Sequence, residues 1–396
     1  MKVTVAVLFG GKSVEHEVSI ITGMQAFAAL DSAKYDALPI YIDKNNAWYT
    51  GSHMGDIESY KNMSECMKKA TRVIPVSHGG RVSLVRFPMK MLGSNVVGMF
   101  DVALPAVHGT HVEDGTLMGM LEMLGVPYAG CDVTASAIGM DKFAMKAVLR
   151  QAGLPVLDAL CYSMREYVRN EAAIIAKIEA EIGYPAIVKP VNLGSSVGIS
   201  FVSNADELKK AMDLGFEYAQ RILVEKAVQN LREINCSVLG DIDDAEASVC
   251  EEPVTSNEIL DFSDKYVNNS GKIGGSKSGM SSLKRRLPAD IPDEMTECIR
   301  QLALDTFKAI GCAGVSRIDF LNNTETGELY VNEINTIPGS LSFYLWQESG
   351  VDFTQLMTRL VELALKRKRD RESLVFSYDS NILAGVSLGG TKGSKI

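Results

Sequence analysis

Short apolar runs alternate with longer helical stretches through the first third of the chain. The apolar runs are rich in β-branched residues and predict strands at residues 3–9, 35–41 and 102–108. Helices are predicted at residues 16–30 and 114–124. This strand–helix–strand order predicts a parallel sheet, whose ligands bind beyond the carboxyl ends of the strands. Glu15 and His108 both lie just past such predicted ends.

The middle and the end of the chain continue the mixture of helices and strands. Further helices are predicted at residues 134–151, 170–182, 205–219 and 353–366. Further strands are predicted near residue 159 and at residues 186–189, 197–202, 222–225 and 233–239. The pattern is typical of an α/β protein with α+β character in part.

Length and composition narrow the class of protein. With 396 residues the chain is too long for one typical core, so two or three packed domains are expected. Apolar residues make up 46% and charged residues 22%, as in ordinary globular proteins. The net charge of −9 argues against a nucleic-acid-binding protein. No apolar run reaches the roughly 18–20 residues of a membrane helix, so no membrane association is expected.

The N-terminus and the cysteines both indicate the cellular compartment in which the protein is expected. The first apolar run resembles a signal peptide, but Gly10-Gly11, Glu15 and Glu17 follow too soon and no cleavage site follows. We expect a buried first strand instead. The seven cysteines are odd in number and include no Cys-x-x-Cys, which indicates neither a disulfide framework nor a zinc site. A reducing cytoplasm fits this usage.

Two oxygen-donor side chains stand close together near the end of the chain. Glu333 and Asn335 are spaced i, i+2 in an apolar strand that ends at Pro338-Gly339. On an extended strand this spacing places both side chains on one face. A second carboxylate, Asp319, lies in the preceding apolar strand. Because Mg²⁺ held by few protein oxygens usually also binds nucleotide phosphates, the segment predicts a metal–nucleotide site.

A lysine at a strand end precedes a small flexible loop. Lys189 is followed by Gly194-Ser195-Ser196, and successive backbone N–H groups in such a loop can hold phosphate oxygens. Gly-Ser-Ser turns are also common without ligands. The loop becomes stronger evidence for a phosphate site when it is considered together with Lys142 and the pair Glu333 and Asn335. Gly10-Gly11-Lys12-Ser13 is not a P-loop, because the first glycine of that motif would have to replace Ala6.

Three other segments leave two interpretations open. The stretch from Glu225 to Val228 is either the end of an edge strand or a hinge that contacts a nucleotide base. Residues 271–286 hold five cations and are either a solvated loop or a lid over polyphosphate. His108 and His111 have no third ligand nearby, which favours polar loop residues over a metal pair. A role of His108 in binding a substrate carboxylate stays open.

Eight short sequence motifs along the chain together form a recognisable pattern. They are Gly10-Gly11-x-Ser13-x-Glu15-x-Glu17-Val18-Ser19, His108-Gly109-x-x-x-Glu113-Asp114-Gly115, Met140-Asp141-Lys142, Val188-Lys189-Pro190, Gly194-Ser195-Ser196-Val197-Gly198, Lys265-Tyr266, Arg317-Ile318-Asp319 and Glu333-Ile334-Asn335-Thr336-x-Pro338-Gly339. Through them the chain resembles the D-alanine–D-alanine ligases of the ATP-grasp superfamily, from residue 3 to about residue 366. The resemblance implies a three-domain ATP-grasp architecture with an N-terminal parallel-sheet domain. Its parts would be residues 1–130, 131–225 and 226–370, followed by a mobile tail at residues 371–396.

The resemblance also implies an activity. ATP would phosphorylate the carboxylate of a first amino acid, and the amine of a second would attack the acyl phosphate. Both amino acids would be D-alanine, for peptidoglycan precursors, and the enzyme would be a cytoplasmic homodimer acting on small amino acids. One alternative is a dipeptide or depsipeptide ligase with another second substrate, and another is a nucleotide-binding regulatory protein without turnover. The complete set of expected catalytic residues argues against the regulatory protein.

Residue roles follow from the resemblance alone. The metal ligands would be Asp319, Glu333 and Asn335, holding two Mg²⁺ ions, with Mn²⁺ as a substitute. The ATP-binding residues would be Lys142, Lys189, Ser196, Glu225, Lys226, Val228, Glu233 and Lys265. The catalytic residues would be Arg317 and the Gly339 N–H at the oxyanion and the lid-closing triad Glu15, Ser195 and Tyr266. The substrate-binding residues would be Glu15 at the first ammonium, His108 near its carboxylate, and Tyr344 and Leu345 at the second substrate.

The chain departs from the family pattern at three positions. Tyr344 stands where the family usually has a serine that binds the carboxylate of the second substrate. Val112 replaces a glycine before Glu113, and Glu233 lies one residue further from the hinge than usual. ATP and metal chemistry are therefore expected to be those of the family, while Tyr344 and Trp346 are expected to shape the second-substrate pocket.

Overall fold

Within the residues that the structure describes, the strands form three sheets, of seven, four and five strands. We call them the N-terminal, central and C-terminal sheets. The computed structural model describes residues 2–194, 197–253, 285–375 and 381. Most of the predicted tail at residues 371–396 lies outside this range. Ser195, Ser196, Lys265, Tyr266 and most of the basic segment 271–286 also lie outside it.

The N-terminal sheet has the strand order β6-β5-β4-β3-β2-β1-β7. Its strands are β1 (Val3–Gly10), β2 (Tyr35–Ile42), β3 (Trp48–Thr50), β4 (Thr71–His78), β5 (Arg81–Arg86), β6 (Val96–Phe100) and β7 (Val102–Pro105). β1 pairs in parallel with β2 and β7, whereas the pairs from β2 to β6 are antiparallel. The three strands predicted to form a parallel sheet are parallel, and four strands that were not predicted extend the sheet in antiparallel fashion. Parallel strands need a long crossover, and no long helix connects β3 to β6.

The first strand is the centre of the N-terminal core. Residues 5 to 9 of β1 are fully buried, which confirms the expected buried strand. The helices on this sheet are α1 (His16–Ala29), α2 (Met63–Lys69) and α3 (Thr116–Met123). Two short 3₁₀ turns, Ser52–Gly55 and Ile57–Asn62, precede α2. Because β1 is parallel to β7, Glu15 and His108 emerge at the same edge of the sheet.

The central sheet has the order β10-β9-β11-β8. Its strands are β8 (Ala159–Ser163), β9 (Ala186–Pro190), β10 (Ser200–Val202) and β11 (Arg221–Lys226). The helices before and around it are α4 (Val133–Met140), α5 (Lys142–Gln151), α6 (Met164–Glu181) and α7 (Ala205–Tyr218). β11 lies between β9 and β8, so the interpretation of Glu225 as part of an edge strand is wrong.

Side-chain caps set two helix boundaries that differ from the predictions. The helix predicted at residues 134–151 is divided at Asp141, whose extended backbone ends α4 and whose carboxylate accepts the N–H groups of Phe143 and Ala144. The division makes Lys142 the first residue of α5. The helix predicted from residue 170 begins at Met164 instead, because Ser163 and Glu166 form a capping box.

The C-terminal sheet has the order β14-β13-β12-β15-β16. Its strands are β12 (Leu231–Gly240), β13 (Ala245–Pro253), β14 (Arg285–Arg286), β15 (Gly314–Asn323) and β16 (Leu329–Asn335). The helices are α8 (Asp293–Ile310), α9 (Phe343–Glu348) and α10 (Phe353–Glu372), and the short turn Gly339–Ser342 precedes α9. Ile234, Ile318 and Ile334 point to a core under α8. The opposite face of the sheet is polar. No helix within the described ranges is long and apolar enough to cross a membrane.

Candidate active site

A polar cavity lies where the three sheets meet. It is lined by Glu15, His108, Glu113, Gly139, Met140, Lys142, Leu193, Gly194, Arg317, Glu333, Ile334, Asn335, Thr336, Ile337 and Gly339. Seven of these residues were predicted as site residues from the sequence, and they come from all three parts of the chain. The cavity is therefore the candidate active site.

The polar face of the C-terminal sheet forms one wall of the cavity. In its register Glu333 of β16 faces Asp319 of β15, and Asp319 faces Asn235 of β12. Asn235 faces Glu251 of β13, so one row of polar residues crosses four strands. Arg317 and Asn335 form the next pair on the same face. The i, i+2 spacing read from the sequence therefore brings these side chains together as predicted.

Asp319 is the centre of this wall. Arg317 binds it with two parallel hydrogen bonds, from Nε to Oδ1 at 2.6 Å and from Nη2 to Oδ2 at 2.7 Å. The Asn335 Nδ2 donates to Asp319 Oδ2 at 3.1 Å. Arg317 is buried, so its guanidinium neutralises a carboxylate that would otherwise be costly beside Glu333.

The oxygen donors of this wall suit a hard cation. Within the described ranges there is no group of three or more His, Cys, Asp or Glu residues arranged to hold a metal ion. Asp319 and Glu333 supply two carboxylates, and Asn335 supplies an amide oxygen. Mg²⁺ in nucleotide sites commonly needs only one or two carboxylates, because phosphates and water complete its shell. The residues present therefore fit a Mg²⁺ site that is completed by a nucleotide.

Lys142 connects this wall to the loop after β9. Its Nζ lies 3.3 Å from Glu333 Oε2 and donates to the Leu193 carbonyl at 2.7 Å. Its backbone N–H donates to the Val191 carbonyl at 3.0 Å. The lysine thus stands between the predicted metal ligands and the loop predicted to hold phosphates.

A buried ion cluster lies behind the cavity. The carboxylate of Glu225 is 2.5 Å from Lys189 Nζ and 2.8 Å from Lys146 Nζ, and all three residues are buried. Burial alone raises the pKa of Glu225, but the two lysine charges outweigh it and hold this pKa below its usual value. Burial lowers the pKa of Lys146. The cluster fixes Lys189, whose Nζ also donates to Asn332 Oδ1 at 3.1 Å.

The other predicted nucleotide residues lie near β11 and β12. Lys226 is exposed, and its Nζ donates to the Tyr184 carbonyl at 2.7 Å. Val228 is half-buried in the connection between these strands. Glu233 lies on the polar face of β12, two residues before Asn235. Their contact with adenine and ribose stays a prediction.

The opposite wall consists of loops from the N-terminal sheet. Ser13 Oγ donates to the His108 carbonyl at 2.8 Å and accepts the Glu15 N–H at 3.0 Å. Glu15 is 8% exposed and lines the cavity. A Cβ on Gly194 would lie 3.0 Å from Glu15 Oε2, so the loop before Ser195 passes close to this carboxylate. The predicted triad of Glu15, Ser195 and Tyr266 extends outside the described residues.

His108 is bonded to protein atoms at both ring nitrogens. Its Nδ1 donates to the Ile337 carbonyl at 2.8 Å, and its Nε2 lies 2.7 Å from Thr22 Oγ1. Burial lowers the pKa of His108 and favours the neutral ring. Because a carbonyl can only accept, Nδ1 carries the proton and Nε2 accepts the Thr22 hydroxyl.

Glu113 also connects the loop after His108 with the segment at Ile337. Its Oε2 accepts the Gly109 N–H at 2.7 Å, and its Oε1 accepts the Ile337 N–H at 3.2 Å. Burial, followed by the charge of Glu15, raises the pKa of Glu113 to about 8. The carboxyl is therefore mostly protonated at neutral pH, which limits repulsion from Glu15.

The turn that follows Gly339 has an unusual backbone. Ser340, Leu341 and Ser342 have φ angles of 53°, 51° and 51°. Such left-handed conformations cost non-glycine residues about 1–2 kcal/mol each. All three residues are buried, and the Ser340 N–H donates to Thr22 Oγ1 at 3.0 Å. Packing and hydrogen bonds from the N-terminal part therefore hold the strained turn in place.

Tyr344 and Leu345 are placed behind this turn. Tyr344 OH donates to Glu251 Oε1 at 3.0 Å, and that carboxylate also accepts bonds from Asn235 at 3.1 Å and Arg285 at 2.6 Å. The Arg285 guanidinium stacks 4.0 Å over the Tyr344 ring. Tyr344 is 6% exposed and Leu345 is fully buried, and neither lines the cavity. Their contact with a second substrate stays a prediction.

Several residues that complete the site were not among the predicted site residues. They are Thr22, Glu113, Lys146, Asn235 and Glu251. Glu113 lies within one of the eight motifs, and Lys146 is four residues after Lys142 on one face of α5, so the sequence carried a signal for both. Glu251 is an acidic residue in an apolar strand. Thr22 has no such signal, because its partners are far away in sequence.

Comparison with known proteins identifies the family. Residues 4–131 match the model of the D-ala D-ala ligase N-terminus, and residues 148–362 match that of the D-ala D-ala ligase C-terminus. The D-alanine–D-alanine ligase of Acetivibrio thermocellus is 38% identical over 93% of this chain and 97% of the relative. The D-alanine–D-alanine ligase of Geobacillus thermodenitrificans is 38% identical over 96% of this chain and all of the relative.

Solved structures agree with the sequence relatives. The D-alanine–D-alanine ligase from Coxiella burnetii has a TM-score of 0.75 at 30% identity and covers 94% of this chain and 96% of its own. The VanG D-Ala:D-Ser ligase from Enterococcus faecalis has a TM-score of 0.76 at 31% identity, covering 92% of this chain and all of its own. The expected α/β ATP-grasp architecture is thereby confirmed. The chain belongs to the D-alanine–D-alanine ligase family.

Proposed function

We propose that the protein is an ATP-dependent ligase that joins two molecules of D-alanine for peptidoglycan precursors. The observation that carries the proposal is the single cavity that collects Glu15, Lys142, Arg317, Glu333 and Gly339. A ligase of this kind needs an anchor for an ammonium, cations for phosphates, oxygen ligands for a metal and donors for an oxyanion. This cavity supplies each of them.

The first chemical step is phosphoryl transfer. A carboxylate oxygen of the first D-alanine attacks the γ-phosphorus of ATP, the bond to the β,γ-bridging oxygen breaks, and ADP leaves. Lys142, which lines the cavity, and Lys189 would hold phosphate oxygens, and Lys265 would act from the lid. Asp319, Glu333 and Asn335 would hold Mg²⁺, with two ions or with Mn²⁺ as the finer proposal. The metal supplies charge neutralisation at the phosphates when bound.

The second step is acyl transfer. The neutral amine of the second D-alanine attacks the carbonyl carbon of the acyl phosphate, phosphate leaves with the former carboxylate oxygen, and the nitrogen loses one proton to water or to the departing phosphate. Negative charge develops on the carbonyl oxygen, so preorganised donors stabilise the transition state. Arg317 and Gly339 both line the cavity, and the Arg317 guanidinium and the Gly339 N–H would serve as these donors. Glu15 would bind the ammonium of the first substrate.

A second candidate differs only in the second substrate. Tyr344 replaces the family serine, and one structural relative is named a D-Ala:D-Ser ligase. A D-alanine–D-serine ligase would use the same cavity and the same first step. The observation behind this alternative is Tyr344 at the position of the family serine, where its hydroxyl donates to Glu251 Oε1.

Phosphate release tests the function and separates the candidates. The purified protein is assayed with ATP and Mg²⁺ and with D-alanine, L-alanine, D-serine or D-alanine plus D-serine. We expect release with D-alanine and a D-alanyl-D-alanine product by mass spectrometry. Release that needs D-serine would favour the second candidate, and no release with any amino acid would contradict the ligase. Lys142→Met should abolish release, whereas Lys209→Met on the surface of α7 should not.

A further inference from the structure

The segment from Ile337 to Leu341 is held on both sides of Gly339. Ile337 N–H donates to Glu113 Oε1, and its carbonyl accepts from His108 Nδ1. Leu341 N–H donates to the Pro338 carbonyl at 2.8 Å. Ser340 N–H donates to Thr22 Oγ1 at 3.0 Å. The Gly339 N–H thus lies between two anchored peptides, at a residue that lines the cavity.

Thr22 occupies the centre of this arrangement. It lies on α1 and is fully buried. Its hydroxyl accepts the Ser340 N–H and donates to His108 Nε2 at 2.7 Å. A hydrogen-bonded chain therefore runs from Ser340 through Thr22 and His108 back to the Ile337 carbonyl. The chain closes a loop around Pro338 and Gly339.

The strained backbone makes this anchor necessary. Ser340 is the first of the three left-handed residues, and its N–H belongs to the peptide that also carries the Gly339 carbonyl. A rotation of that peptide would change ψ of Gly339 and release the strain of Ser340. Thr22 accepts the N–H of this peptide and opposes the rotation.

We propose that Thr22 is a positioning residue for the oxyanion site. It fixes the orientation of the turn that presents the Gly339 N–H, and its hydroxyl also binds the ring of His108, which holds the other end of the turn. Thr22 touches neither substrate nor nucleotide, and it acts through Ser340 and His108. The proposal rests on the proposed function for its kinetic consequence and on the backbone geometry for its structural one.

Two substitutions at Thr22 and one matched control test the proposal. Thr22→Val keeps the shape and removes the hydroxyl, whereas Thr22→Ser keeps the hydroxyl. Thr50→Val is the control, because Thr50 is a buried threonine of the N-terminal sheet whose hydroxyl donates to the Pro39 carbonyl at 2.8 Å, away from the cavity. Thr50→Val should lower stability and leave kcat within twofold of the wild type.

Kinetics give the first readout. Thr22→Val should lower kcat about tenfold to a hundredfold, because a small displacement of an oxyanion donor is costly in the transition state. The KM for ATP should stay within twofold, since the nucleotide residues lie elsewhere. Thr22→Ser should restore kcat to within threefold of the wild type. A kcat of Thr22→Val near that of the wild type, or an equal loss in Thr22→Ser, would overturn the proposal.

Amide hydrogen exchange gives a readout that does not need activity. The Ser340 amide should exchange at least tenfold faster in Thr22→Val than in the wild type, Thr22→Ser and Thr50→Val. Unchanged exchange in Thr22→Val would overturn the proposal. Should the wild type release no phosphate with any amino acid, the proposed function fails, and the exchange comparison still decides whether Thr22 anchors the turn.

Discussion

The two walls of the cavity are built in different ways. On the C-terminal sheet the polar side chains belong to the strands themselves, with Arg317 and Asp319 on one face of β15 and Glu333 and Asn335 on the same face of β16. On the N-terminal side the groups lie in loops beyond strand ends, and their partners include Thr22 on α1. The strand wall presents charges, whereas the loop wall binds the backbone of the turn at Gly339.

The two walls therefore have different roles. A strand face holds several charged groups at fixed spacing with little freedom, which suits metal and phosphate binding. Apart from Glu15, the polar groups of the loop wall bind Ile337 and Ser340, so their main effect is on the position of the Gly339 N–H. Substitutions on the strand wall should therefore affect chemistry most, and those on the loop wall should affect position and stability.

The largest effect is expected on the strand wall. Glu333→Gln should lower Mg²⁺-dependent turnover at least about a hundredfold, on the order of 3 kcal/mol of transition-state stabilisation. The loss should be seen in steady-state phosphate release at saturating ATP. The control is Glu328→Gln, an exposed carboxylate just before the same strand. Near-normal turnover of Glu333→Gln would contradict the claim that the strand wall carries the metal and phosphate chemistry.

The next effect concerns the loop wall and its pH dependence. Glu113→Gln leaves one backbone N–H without an acceptor and should cost about 1–3 kcal/mol of the free energy of unfolding at pH 5. Because the pKa of Glu113 is raised to about 8, its stabilising contribution is present below its unfolded pKa of 4.5 and is lost as pH rises through about 8.

The stability difference between wild type and Glu113→Gln should therefore shrink from pH 5 to pH 9. Urea denaturation at both pH values measures it. Glu348→Gln, at an exposed position, serves as the control. A difference that stays constant over this range would contradict the protonated state assigned to Glu113.

A smaller effect is expected at Tyr344, behind the strand wall. Tyr344→Phe removes one of three donors to the buried Glu251 carboxylate and should lower the free energy of unfolding by about 1 kcal/mol. If the network borders the second-substrate pocket, the KM for the second amino acid should also rise severalfold. The KM for ATP is the internal control. Unchanged KM values for ATP and for the second amino acid would show that Tyr344 is not part of the second-substrate pocket.

The smallest effect is expected far from both walls. Arg371 of α10 makes two hydrogen bonds to Glu122, at 2.7 Å and 3.1 Å. The pair is partly exposed, so Arg371→Met should cost less than about 1 kcal/mol at pH 7. Arg371 lowers the pKa of Glu122, so this contribution exists above pH 4.5 and is lost as pH falls. A cost that persists at pH 3 in thermal melts would show that the effect is not electrostatic.

The two walls also differ in how much of their geometry the sequence predicts. Alternation along a strand is local, so Glu333 and Asn335 could be placed on one face from the sequence. The long-range bonds could not, because Thr22 meets His108 across 86 residues and Ser340 across 318. The antiparallel strands from β3 to β6 and the break at Asp141 also escaped prediction. At Asp141 a side-chain cap overrides the hydrophobic pattern of the predicted helix.

The most direct test of the central claim follows one oxygen atom. D-alanine labelled with ¹⁸O in its carboxylate is incubated with the protein, ATP and Mg²⁺, and the released phosphate is analysed by mass spectrometry. The acyl-phosphate route predicts one ¹⁸O atom in each phosphate, because the attacking carboxylate oxygen leaves with phosphorus. Unlabelled phosphate would mean that water attacks ATP, which would contradict the ligase chemistry proposed for this cavity.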